Sequence, residues 1–68
     1  MDFESFPHRH PNEHEARMDA LDLSDKDRDR FYYVVFNKSS GLYLVDLVAL
    51  PASDEMLLGT YYQAKLIN

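Results

Sequence analysis

The stretch RFYYVVFNKSSGLYLVDLVAL, residues 30–50 of a 68-residue chain, decides the fold. Aromatic and β-branched residues crowd positions 31–36, as strands favour. Lys38, Ser39, Ser40 and Gly41 then supply a turn, with Gly41 free to take a positive φ. A four-residue loop pairs Asn37 with Leu42, and a two-residue loop centred on Ser40 and Gly41 pairs Ser39 with Leu42. Both give the same two faces, whereas a three-residue loop with a bulge breaks the register. One face carries Tyr32, Val34, Phe36, Tyr43, Val45 and Leu47. The other carries Phe31, Tyr33, Val35, Leu42, Leu44, Asp46 and Val48.

Both faces are therefore apolar, and that is the difficulty. An antiparallel sheet with one wet face alternates towards polar residues, and here only Asp46 and Asn37 interrupt the second face. Burying one large side chain is worth about 1.5–3 kcal/mol, so leaving Phe31, Tyr33, Val35 and Leu44 in water forfeits several such contributions. Either the N-terminal arm folds back with Phe3 and Phe6, or another polypeptide covers the face. Tyrosines suit an interface, since they combine contact area with a polar tip.

Upstream of the hairpin, residues 12–23 read as a short helix. Asn12 is a good N-cap, Glu15 follows three residues on as in a capping box, and Glu13 adds charge at the positive end of the helix dipole. Met18 and Leu21 share one face with His14, while Ala16, Ala20 and Leu23 form a smaller one. Such a short helix must pack on something to persist. Residues 24–30 alternate in charge, with Asp25–Arg28, Lys26–Asp29 and Asp27–Arg30 three apart, and read as a solvated connector. Residues 1–11 contain two prolines and no periodicity, and read as a flexible arm ahead of a single small α+β domain over 12–68.

Downstream, residues 51–55 make a turn and residues 56–67 remain ambiguous. A helix would start at Ser53, whereas Gly59-Thr60-Tyr61-Tyr62 favours a strand. The expected architecture is a short N-terminal helix followed by a three-stranded antiparallel β-meander. The alternative is a β-hairpin flanked by two helices.

Composition narrows the function. The net charge is −5, with nine acids and five bases in residues 1–30 against three acids and two bases in the rest. That balance excludes direct binding to nucleic-acid phosphates or to anionic lipid. The chain has no cysteine, so a disulfide or thiolate zinc site cannot staple a domain this small. The first residues are acidic with no apolar run behind them, and no segment approaches the roughly 18 apolar residues of a membrane span. The expected location is the cytoplasm.

Chemistry is thinly represented. Residues 8–15, HRHPNEHE, hold His8, His10 and His14 among Glu13 and Glu15. His10 and His14 would share a helix face, but Pro11 and the cap at Asn12 leave His10 outside the helix, so this metal geometry fails and no cofactor is expected. The serines occupy turn or cap positions, and two glycines make no phosphate loop. Asp46, opposite Tyr33, suits an interface or a tyrosine hydroxyl better than catalysis. The residues therefore point to a non-catalytic module that binds another protein, or a second copy of itself, through Phe31, Tyr33, Val35, Leu44 and Asp46, with Tyr61 added from the tail. Its size and acidity match those of virus-encoded inhibitors of host proteins. The alternative is a nucleic-acid mimic using the acids of residues 13–29, diluted by Arg17, Lys26, Arg28 and Arg30. A histidine-rich metal-binding module ranks third.

Overall fold

The computed structural model describes residues 6–48 and 52–67. The described elements are β1 (His8–His10), α1 (Glu13–Lys26), β2 (Tyr32–Asn37), β3 (Leu42–Asp46), β4 (Glu55–Tyr62) and β5 (Lys65–Leu66). The protein is thus α+β, with one helix against an antiparallel sheet of strand order β1-β3-β2-β4-β5.

The β2–β3 hairpin closes in the four-residue register, pairing Asn37 with Leu42 and Tyr33 with Asp46. Gly41 takes a φ of +74° and donates its N–H to the Asn37 carbonyl at 2.8 Å. The strand reading of the tail is correct, since Glu55–Tyr62 forms β4. The meander is not: β4 pairs with β2, so the most apolar strand lies at the centre between β3 and β4. Five strands replace the expected three because two short edges were not visible as strands. Residues 8–10, read as part of the arm, pair with β3, and Lys65–Leu66 folds back on β4.

The β4–β5 turn is built from Gln63 and Ala64 at φ of 52° and 61°. Two positive φ values are what a two-residue hairpin turn of this hand requires, and glycine or asparagine usually supply them. Here the helix restrains the turn instead. The Ser24 hydroxyl, fully buried, accepts the Ala64 N–H at 3.0 Å and donates to the Leu21 carbonyl at 3.0 Å. The Gln63 amide donates to the Arg28 carbonyl at 3.3 Å. Ala64→Gly removes a left-handed strain of roughly 1–2 kcal/mol at some cost in unfolded-chain entropy, so a net gain of about 1 kcal/mol is expected. A urea melt that shows no gain would mean the turn carries no strain.

Helix α1 starts as its cap demands. The Asn12 side chain accepts the Glu15 N–H at 2.9 Å and donates to the Glu15 carboxylate at 3.3 Å. The helix continues through Lys26, beyond the expected end at residue 23. Its smaller apolar face is the buried one. Ala16, Ala20 and Ser24, four residues apart, are all at 0% exposure, whereas Met18 is 51% exposed. Small side chains let the helix approach the bulky sheet residues Tyr32, Val34, Val45 and Tyr61, with which Ala16 and Ala20 form the core. Phe6, Leu21, Leu23, Tyr43, Leu47 and Leu58 pack around it. Phe6 therefore joins the helix-covered layer and does not cover the second face; Phe3 lies outside the described residues.

The second face is closed differently. β3 and β4 both run antiparallel to β2 and flank it, so the chain leaving Asp46 and re-entering at Glu55 has to pass β2. Residues 49–51 of that connection lie outside the described residues. Val35 and Leu44 at the centre of this face are only 3% and 7% exposed.

Candidate functional site

The expected docking residues divide into three groups. Val35 and Leu44 face away from α1 as predicted but are buried, so they support a surface and do not form one. Phe31, Tyr33 and Asp46 lie towards one end of the same face. Tyr33 pairs with Asp46 on one side and with Thr60 on the other. Phe31 is 43% exposed and stacks on Tyr62, ring centroids 4.4 Å apart. Val48, two residues past Asp46, is 60% exposed and flanks the same end. The Asp46 carboxylate accepts the Leu47 N–H at 2.7 Å, which orients it at the strand end.

Tyr61 belongs elsewhere. It pairs with Tyr32, is buried under the helix, and accepts a hydrogen bond from Arg17 at 3.1 Å. Arg17 also donates to Glu13 at 2.7 Å, and the bonds to Tyr61 and Glu13 raise its guanidinium above the ordinary pKa. Tyr62, one residue on, is the tyrosine that joins Phe31. The faces of β4 follow from its pairing with β2, and simple alternation fails there. A bulge lets Val34 pair with Gly59 and Val35 with Leu57, leaving Leu58 as the extra residue against the core.

A second cluster lies at the other side of the sheet. His8 and His10, two apart on β1, point their rings at the helix, where both contact one oxygen of Asp19. His8 Nδ1 stands 2.7 Å and His10 Nε2 2.8 Å from Asp19 Oδ2. Phe6 stacks on the His8 ring at 4.4 Å, with planes 7° apart. These three side chains are the arrangement able to hold a metal ion among the described residues. The fold brings Asp19 of the helix to His8 and His10, a partner from outside the HRHPNEHE stretch. The signal in the sequence is the His-x-His alternation, which puts both rings on one face once residues 8–10 pair as a strand.

The helix acids are largely paired. Asp22 meets Lys26 at 3.1 Å, Asp25 meets Arg28 at 2.9 Å, Asp27 meets Arg30 at 3.2 Å, and Glu13 meets Arg17 at 2.7 Å. Among the described residues no helix is long and apolar enough to cross a membrane. The sequence matches no family model, and comparison with curated proteins and with solved structures likewise gives no match.

Proposed function

We propose that this chain is a non-catalytic protein-binding module. Its contact surface is the aromatic end of the second face, formed by Phe31, Tyr33 and Tyr62 with Asp46 and Val48. The observation that carries this reading is the Phe31–Tyr62 stack, which leaves a large apolar ring 43% exposed beside a half-buried tyrosine and carboxylate. Contiguous apolar surface rimmed by polar groups marks interaction sites, and aromatic residues are enriched at their centres. The partner fitting this surface is a protein, another chain or a second copy, offering an apolar patch with a basic group opposite Asp46. Inhibition of a larger protein is the form of the reading to which small size and acidity point. Nucleic-acid mimicry has less support, because cations within the same helix and connector neutralise Asp22, Asp25 and Asp27.

Two variants separate these readings. Phe31→Glu, at an exposed position, should abolish association while the protein stays folded. Asp22→Lys combined with Asp29→Lys should leave it nearly unchanged. Sedimentation across concentration reads self-association, and affinity capture from the native source reads other partners. A partner kept by Phe31→Glu and lost by the double lysine variant overturns the assignment in favour of mimicry, as does a steep fall in affinity with salt.

A further inference from the structure

We propose that His8, His10 and Asp19 form a binding site for a divalent transition-metal ion, zinc being the best match, and that the ion fastens β1 to α1. Two imidazoles and one carboxylate are ordinary zinc ligands. The ligand atoms are His8 Nδ1, His10 Nε2 and Asp19 Oδ2, all within 4.8 Å of one another. Ligands bound to zinc at ~2.0–2.1 Å stand roughly 3.3 Å apart in a tetrahedral site. The observed separations of 2.7 and 2.8 Å therefore need only a modest spreading of the two rings from the carboxylate.

The surroundings are built for this. Strand alternation puts both imidazoles on one face, and the β1–β3 register sets His8 beside Val45 and His10 beside Tyr43. Positions on a sheet face covered by a helix are ordinarily apolar. Here three ionisable side chains share that seam, their side chains only 23%, 22% and 21% exposed. Desolvating three ionisable side chains costs free energy that a bound cation offsets. The Phe6 ring limits the rotation of His8. Three protein ligands leave a fourth position for water. The ion also answers a structural need, since β1 is three residues long and the chain has no cysteine to cross-link it.

The test uses the full chain with zinc chloride as the only added ligand. Zinc is expected to raise the melting midpoint by ~5 °C or more, to bind at one ion per chain in a calorimetric titration, and to be removed by a chelator. His10→Ala and Asp19→Asn should each lose the zinc-dependent shift, while His14→Ala on the exposed side of α1 should keep it. If the variants fail to fold, NMR of the unmodified protein decides: zinc should move the ring resonances of His8 and His10 and leave those of His14 in place. A melting midpoint indifferent to zinc overturns the proposal and leaves the cluster a hydrogen-bonded latch. So does zinc binding that disturbs His14 as strongly as the other two.

Discussion

Tyr32→Ala is expected to destabilise the protein by about 3–5 kcal/mol, among the largest losses a single substitution can cause here. Tyr32 lies at the start of the central strand, 3% exposed, paired with Tyr61 and packed beneath Ala16 and Ala20. Its ring is also 6.1 Å from that of Phe6, so it joins the segment before β1 to the main core. Truncating a buried aromatic residue costs about 3–5 kcal/mol, because the cavity left behind collapses only in part. A domain of this length has roughly 3–10 kcal/mol of stability in total. The loss therefore takes from about a third of the stability, at the upper end of that range, to all of it at the lower end. Tyr32→Phe is the control. It keeps the buried ring, removes the hydroxyl that reaches Asp27, and should cost much less than Tyr32→Ala. Circular dichroism through a urea titration reads both. If Tyr32→Ala keeps the midpoint of the unmodified chain, the core is not centred on β2.

The central hairpin was legible because its signals are local. Its register follows from turn chemistry, and its two faces follow from alternation along Tyr32–Asn37 and Leu42–Asp46. The helix start was legible for the same reason, since Asn12 and Glu15 recognise each other across one turn. What could not be read is long-range. The edge strands are three and two residues long, too short for a periodicity, and exist because β3 and β4 offer free edges to them. The order of β4 beside β2 depends on a connection that passes across the sheet, and a bulge at Leu58 redirects the side chains of β4. The expected shortage of cover does not extend to the middle of the second face. This moves the candidate surface from the middle of the face, where Val35 and Leu44 are buried, to its end at Phe31 and Tyr62. The metal-ligand cluster was hidden in the same way, since Asp19 is brought to His8 and His10 only by the packing of α1 on β1.

The closeness of that packing gives the second large effect. Ala20→Leu is expected to destabilise the protein by about 1–3 kcal/mol, although leucine forms helix almost as well as alanine. Ala20 is at 0% exposure, one turn after Ala16 and one before Ser24, on the line where α1 meets the sheet. Three added carbons have no space there unless the helix lifts away from Tyr32, Val34, Val45 and Tyr61. Lifting it also draws Asp19, the preceding residue, away from His8 and His10, and pulls Ser24 from the Ala64 N–H that restrains the strained turn. The variant should therefore lose stability and zinc response together, which a mutation acting on the helix alone would not do. Met18→Leu makes the comparison, since Met18 is half exposed on the same helix and should melt within a degree or two of the unmodified chain. If Ala20→Leu melts like Met18→Leu and answers zinc as before, small residues do not set the helix–sheet distance, and the link from α1 to both β1 and the β4–β5 turn is lost with them.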